Sequence, residues 1–115
     1  MLNHAVSLTI AINTAESEAV SLVDFVGDAG LVMVPAWTAA SLGFKVCDTP
    51  GGTFAALRDE YGALVEVTGI QTAAAGWYKL PAGLRGARYV KLWSETAGSD
   101  TNQAAARSMA ISVKG

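Results

Sequence analysis

Apolar and polar residues alternate in short runs along most of the chain, and turn residues separate the runs. The clearest run covers residues 5–13, in which every second position from Val6 to Ile12 is Val, Leu or Ile and the positions between are Ser, Thr or Ala. A period of two places successive side chains on opposite faces of a β-strand. Residues 31–34 are apolar throughout, which indicates a strand at the centre of a sheet or at a covered edge.

Similar runs predict strands over the rest of the chain. The predicted segments are 19–25, 31–34, 42–47, 53–57, 63–68, 77–80, 87–94 and 107–113. For 19–25 a short amphipathic helix is the alternative. The predicted turns at 48–52, 58–62 and 95–101 each contain Asp and Gly, two residues that favour turns. Residues 69–76 have no periodicity and are predicted to form a loop.

Eight or nine short strands separated by turns predict an all-β sandwich or barrel. A compact antiparallel jelly roll is the most economical arrangement, because its two Greek keys close most sheet edges. An immunoglobulin-like sandwich is the alternative, but the chain has a single cysteine and therefore lacks the Cys…Trp…Cys spacing of that fold.

The length and composition indicate one domain, residues 1–115, with an unusually apolar surface. Hydrophobic residues make up 51% of the chain and charged residues 16%, whereas globular proteins typically have about 25% charged residues. A sandwich of this size cannot enclose so many apolar side chains. We therefore expect part of its surface to contact a partner, although alanine-rich loops also contribute to the hydrophobic share.

The charge pattern argues against two classes of partner. The net charge is −2, and the only concentration of basic residues is Arg85, Arg88 and Lys91, which is too small for a nucleic-acid-binding surface. The longest apolar runs are far shorter than the ~20 residues of a membrane-spanning helix. No secretory signal is recognisable at the start, so we expect synthesis in the cytosol, with neither nucleic acid nor membrane as partner.

Catalytic and metal-binding patterns are not recognisable in the sequence, and we expect no enzyme activity, metal or cofactor. The single histidine, His4, lies near the N-terminus, and no G-x-S-x-G motif supplies a nucleophilic serine. The neighbouring acids Asp59 and Glu60 would point to opposite faces of a strand. Asp24 and Asp28 flank a glycine turn, where turn chemistry is the default. The single Cys47 excludes an internal disulfide.

Aromatic residues give the candidate sites. In the strand predicted over residues 87–94, Val90 and Leu92 are expected to face the core, so Tyr89, Lys91 and Trp93 face outward and are the candidate protein interface. The alternative is that they lie beneath the 69–76 loop.

Two further tryptophans, Trp37 and Trp77, lie beside predicted loops. They would either form a platform on which a sugar stacks or close the ends of the sandwich. Cys47 shares a strand face with Lys45, and is either exposed beside that lysine or buried as a small apolar residue.

Four segments resemble a pattern found in small proteins of the structural gene clusters of tailed bacteriophages. They are PAWTAASLGF at 35–44, GTFAALRD at 52–59, RYVKLWS at 88–94 and NQAAAR at 102–107. Such proteins are compact jelly rolls similar in shape to discoidin and galactose-binding domains. Some are capsid decoration, or cement, proteins, and others are modules of head or tail fibres.

The resemblance implies a structural protein of the virion. The expected role is decoration of the capsid exterior, where the protein binds and stabilises the shell of major capsid protein as a homodimer or homotrimer. A carbohydrate- or receptor-binding module of a fibre is the alternative. The resemblance carries over no catalytic or ligand-binding residue.

Overall fold

The computed structural model describes residues 3–22, 30–73 and 75–114. These residues form short β-strands with very little helix, which is confined to α1 (Ile70–Ala73) and a 3₁₀ turn (Ala82–Gly86). The strands are β1 (Asn3–Ile10), β2 (Val20–Ser21), β3 (Leu31–Val34), β4 (Ser41–Cys47), β5 (Ala55–Ala56), β6 (Glu66–Val67), β7 (Gly76–Lys79), β8 (Tyr89–Thr96), β9 (Ser99–Asp100) and β10 (Arg107–Lys114).

The strands form two antiparallel sheets, which confirms the predicted all-β sandwich. Sheet A has the order β1-β10-β3-β7. Sheet B has the order β2-β8-β4-β5, with β6 also paired to β4 and β9 to β8. From β1 to β4 each connection crosses from one sheet to the other, so most neighbours within a sheet are distant in sequence.

The core lies between the sheets and is formed by the apolar side chains of the alternating runs. Val6, Leu8 and Ile10 of β1 and Met109 and Ile111 of β10 point inward at every second position, as the period-two pattern predicted. The largest contributions are aliphatic or aromatic side chains at most 1% exposed: Leu8, Ile10, Val32, Leu42, Phe44, Leu92, Met109 and Ile111. Burial of this set supplies the main stabilisation of the fold.

Several predicted elements differ from the structure in extent. The strand predicted over 31–34 is β3, and it lies between β10 and β7, in the expected central position. The strands predicted over 53–57 and 63–68 shorten to β5 and β6. The strand predicted over 19–25 is represented by β2. Residues 23–29 lie outside the described ranges, and with them the last three residues of that predicted strand and the acids Asp24 and Asp28.

The loop predicted over residues 69–76 contains α1, whose first residue, Ile70, is completely buried. A single apolar side chain among Ala, Gly and Thr produces no period, so the pattern gave no sign of this anchor. The polar turn predicted over 95–101 forms a hairpin between β8 and β9. Its two central residues, Ala97 and Gly98, have φ angles of 52° and 85°, as a tight type I′ turn requires.

One buried polar side chain joins the loops at one end of the sandwich. Gln103 is completely buried, and its Oε1 accepts hydrogen bonds from the Thr38 backbone N–H (2.8 Å) and Arg107 Nε (3.0 Å). Its Nε2 donates to the Thr38 carbonyl (3.1 Å) and to Ser94 Oγ (2.8 Å). A buried amide with this many partners fixes the relative positions of the segments it connects.

Candidate functional site

The outer face of sheet A, called here the Trp77 face, has large apolar groups at one side and, among its described side chains, a single charge. Strand pairing places its residues in two rows across the four strands. The rows are Ser7, Ala110, Met33 and Trp77, and Ala5, Ser112, Leu31 and Lys79. The side chains on β1 and β10 are small, whereas those on β3 and β7 are long, so the face is low on one side and raised on the other.

The raised side of this face exposes an unusual amount of apolar surface. Trp77 is 60% exposed and Leu31 is 45% exposed, and Met33 beside them is half-buried. Lys79 is the one charged residue among the described side chains of the face. Exposed aromatic and aliphatic groups in contact with one another are typical of interaction surfaces.

The position of Trp77 follows from its neighbours on β7 and β3. Tyr78 points inward and packs against the core, so the alternation directs Trp77 outward, opposite Met33. Trp77 therefore does not close an end of the sandwich. The sequence signal for this surface was the run of residues 31–34. These residues are apolar on both faces of the strand, although only one face contributes to the core.

The outer face of sheet B, called here the Trp93 face, carries the candidate interface residues predicted from the sequence. Tyr89, Lys91 and Trp93 alternate with Val90 and Leu92 and point away from the core, as predicted. Tyr89 and Lys91 are half-buried, but Trp93 is only 4% exposed. Trp93 therefore cannot serve as an exposed anchor in this conformation, and an interface role for the three residues stays a prediction.

Three neighbours cover the Trp93 indole. Gly43 lies opposite it, and a Cβ at that position would come within 2.9 Å of Trp93 Cε3. Asp100 Oδ1 accepts a hydrogen bond from Trp93 Nε1 at 2.7 Å, and Lys45 Nζ lies 4.7 Å from the ring centroid. The cover thus includes residues of β4 and of the β9 hairpin, and the glycine at position 43 leaves space for the indole ring.

Charges on the Trp93 face have partners within the molecule. Glu16 Oε2 lies 2.6 Å from Lys45 Nζ, and Glu16 Oε1 lies 3.7 Å from Lys91 Nζ. Lys91 Nζ also lies 4.9 Å from the centroid of the Phe54 ring. Glu16 therefore compensates two lysines that face each other across β4 and β8. These contacts leave the face with little uncompensated charge for a partner.

A pair of carboxyl groups, Glu66 and Glu95, lies at the end of the same face. Glu95 is completely buried, and its Oε1 accepts a hydrogen bond from the Gly98 N–H at 3.1 Å. The Oε2 atoms of both residues are closed to solvent and receive no hydrogen bond from a fixed donor. The hydrogen bond to Glu95, followed by burial and the negative charge of Glu95, raises the pKa of Glu66 to about 7.

A proton on Glu66 allows a hydrogen bond between the two carboxyl groups in place of repulsion between two negative charges. The nearby Ser41 Oγ accepts a hydrogen bond from Gln71 Nε2, which fixes α1 against β4. The two Oε2 atoms are closed to solvent, so neither can contact a substrate in this conformation. The contact between the two carboxyl groups joins β6 to β8.

The remaining candidate residues have ordinary structural surroundings. Trp37 is half-buried, packs against the core and donates its indole N–H to the Ala40 carbonyl at 3.2 Å, so it closes an end of the sandwich. Asp59 Oδ1 accepts hydrogen bonds from the N–H groups of Tyr61 and Ala63, which is turn chemistry. His4 lies on β1, in register with Val113.

Cys47 is half-buried, with its Sγ 3.8 Å from Thr49 Oγ1. It lines an open pocket of about 400 Å³ beside Val46, Asp48 and Arg88. Within the described ranges, no three His, Cys, Asp or Glu side chains are grouped so that they could hold a metal ion. No helix in the described part of the chain has the length and hydrophobicity needed to span a bilayer.

Comparison of the chain with protein-family models, with curated proteins and with solved structures finds no match.

Proposed function

We propose that this protein is a structural component of a bacteriophage virion that decorates the exterior of the head. In this role it binds the shell of major capsid protein through the Trp77 face and stabilises that shell. Stabilisation follows when the protein binds the assembled shell more tightly than the free subunits. Synthesis takes place in the host cytoplasm, and the bound form is a homodimer or homotrimer at a symmetric position of the shell.

The exposure of Trp77 is the observation that carries this proposal. A ring that is 60% exposed lies beside Leu31 and Met33 on a face whose other described side chains are small or neutral, apart from Lys79. Burial of such a group against a partner is favourable because it removes apolar area from water at about 25 cal/mol per Å². Tryptophan is also enriched among the residues that dominate interface energies.

The strand order supports a jelly roll as the finer description of the fold. A chain that crosses between the two sheets, with β10 between β1 and β3 and β8 between β2 and β4, is what two successive Greek keys produce. An immunoglobulin-like sandwich instead has mostly hairpin-connected neighbours within a sheet. The segments that resemble phage structural proteins include β8 and much of β4, two adjacent strands of sheet B.

The test is co-sedimentation of the full chain with empty shells assembled from the major capsid protein of the phage that encodes it. We expect saturable binding, and we expect Trp77→Ala to weaken it by about thirtyfold or more, since a central aromatic anchor commonly contributes ~2 kcal/mol or more. Tyr61→Ala is the matched control, because Tyr61 is an exposed aromatic (88%) on a distant turn. Equal binding by both variants would refute the proposed surface.

A carbohydrate-binding module of a fibre is the second candidate, and the same residue favours it. An exposed indole is a surface on which a sugar ring can stack, and the same face carries serine hydroxyls on β10 and β1, two and three strands away. A glycan array with the full chain distinguishes the two functions. Binding to a defined glycan that is lost in Trp77→Ala and kept in Trp77→Phe, without binding to shells, would favour the module.

A further inference from the structure

We propose that the free edge of β1 pairs with β1 of a second copy of the chain, which joins two sheets A into one continuous eight-stranded sheet across a two-fold axis. The inference does not depend on the proposed function. The edge lies beside the Trp77 face and not within it, so a failure to bind shells would leave the dimer unaffected.

The two edges of sheet A differ in their protection against pairing. The β7 edge has four residues, ends next to Pro81 and carries Lys79, and both short length and lysine discourage strand addition. The β1 edge has eight residues, with no proline and no Asp, Glu, Lys or Arg, and it pairs with β10 in an unbroken register. A long, regular, uncharged edge is a template for another strand.

Backbone hydrogen bonds show which groups of β1 are open. The Thr9 N–H points away from β10, since Glu18 Oε1 accepts its hydrogen bond at 3.0 Å. The direction of backbone groups alternates along a strand, so the N–H and C=O groups of Ala5 and Ser7 point to the same free side. Within the described ranges no group accepts from or donates to them there.

Residues 15–18 limit the open part of the edge. Ser17 forms a bridge with Ile10, and Glu18 accepts the hydrogen bond of the Thr9 N–H, so these residues close the last two residues of β1. Burial follows the same gradient along the inward face. Ile10 and Leu8 are completely buried, but Val6 is only half-buried. The open part of the edge is therefore also the part where the core is incompletely covered.

A second copy of β1 matches this edge better than an unrelated strand. An antiparallel pair across a two-fold axis brings the same residues together, and this strand has no charged residue that would repel its own copy. With the axis at Val6, Ala5 pairs with Ser7 of the partner subunit and Ser7 pairs with Ala5 of the partner subunit, and each pair forms two backbone hydrogen bonds. The two Val6 side chains then meet directly and cover each other, as β-branched cross-strand pairs do.

Sedimentation velocity of the full chain over a wide concentration range is the first measurement. We expect a concentration-dependent dimer. Ser7→Pro removes an outward N–H that β10 does not use, and proline is tolerated at such edge positions, so the variant should fold but dimerise at least about tenfold more weakly. Ser7→Thr keeps the N–H and is the matched control. It should dimerise like the unmodified chain.

Cross-linking tests the register and does not depend on the behaviour of the proline variant. In a Cys47→Ser background, Val6→Cys places two thiols directly opposite at about 4.5–5.5 Å between Cβ atoms, so oxidation should give a covalent dimer. Ser7→Cys places them diagonally, at about 7–8 Å, and should cross-link poorly.

Three results would overturn the proposal. They are a monomer at every concentration, a dimer that Ser7→Pro leaves intact while Trp77→Ser abolishes it, or cross-linking of Ser7→Cys in preference to Val6→Cys. The second result would place the interface on the Trp77 face instead.

Discussion

Each outer face of the sandwich carries a tryptophan that points away from the core, but one is covered and the other is exposed. Trp93 on sheet B faces a glycine, is hydrogen-bonded to Asp100 and lies under Lys45, so it is 4% exposed. Trp77 on sheet A pairs with Met33, a residue with a long side chain, and it is 60% exposed. Alternation decides which face a residue takes, but the residue opposite decides whether it is covered.

The same contrast holds for charge. The Trp93 face contains both signs, and its lysines have carboxylate or aromatic partners within the molecule. The described part of the Trp77 face has neither acids nor internal ion pairs. A face whose charged groups have partners within the molecule contributes to the stability of the fold. A face whose apolar groups are exposed to water is available to bind a partner. The substitutions below test this division.

Trp93→Ala should produce the largest loss of stability. The substitution removes a buried ring and its hydrogen bond to Asp100, and truncation of a buried tryptophan typically costs about 3–5 kcal/mol. Urea unfolding of the purified variant measures the change. A free energy of unfolding within about 1 kcal/mol of the unmodified chain would mean that Trp93 belongs to an open surface after all.

Gly43→Ala should lower the free energy of unfolding by less than Trp93→Ala, and it should do so because it disturbs the packing of Trp93. The new methyl group would lie 2.9 Å from Trp93 Cε3 and 3.0 Å from Glu95 Cγ, so the ring or the carboxyl group must move. Overpacking of this kind costs about 1–3 kcal/mol. Gly51→Ala is the control, since no atom lies within 4 Å of its added carbon. A larger loss in the control would contradict the packing described.

The carboxyl pair should make stability depend on pH. Glu66 keeps its proton in the folded chain up to a pKa of about 7, whereas the ordinary value is 4.5. The folded state therefore binds more protons than the unfolded state between these values, and stability should fall as the pH rises through this window. The favourable contribution of the pair is fully present below about pH 4.5 and is lost above about pH 7.

Glu66→Gln is the variant that isolates this effect. An amide at position 66 still donates a hydrogen bond to Glu95 but does not titrate, so the fall in melting temperature across the window should largely disappear. Glu60→Gln, on an exposed turn, should keep the behaviour of the unmodified chain. The same pH dependence in all three proteins would exclude the pair as its source.

Trp77→Ser should have the smallest effect on stability. The side chain is mostly in water, and exposed positions without special contacts usually change stability by no more than about 0.5 kcal/mol. Iodide quenching of tryptophan fluorescence gives a second measurement, because the ion reaches Trp77 more readily than the buried Trp93. The variant should lose most of the quenchable signal, and retention of that signal would show that another indole is exposed.

Much of the fold could be predicted from the sequence. A strand with one buried face has apolar residues at every second position, and this alternation is visible in the sequence. The run from Val6 to Ile12 gave β1, and the apolar run at 31–34 gave β3 with its central position. The alternation of Val90 and Leu92 with Tyr89 and Trp93 gave the two faces of β8 correctly. These features depend on which residues are neighbours along the chain, and the sequence gives that information directly.

The candidate site was harder to predict, because it depends on neighbours in space. Nothing near Trp93 in sequence indicates that Gly43 lies opposite it, and nothing near Trp77 indicates Met33. The carboxyl pair joins residues 66 and 95 from different strands, and the Gln103 amide joins loops 65 positions apart. Each contact requires the pairing of strands, which short-range periodicity does not specify.

The position of β10 between β1 and β3 has a consequence for how the chain reaches this structure. β10 follows every other described strand in sequence, yet it pairs with β1, which precedes them all. Sheet A therefore cannot close before residues 107–114 have been synthesised. Pairing across such a large separation in sequence is slow, typically on the order of milliseconds to seconds. During that interval β3 lacks the neighbour that β10 provides.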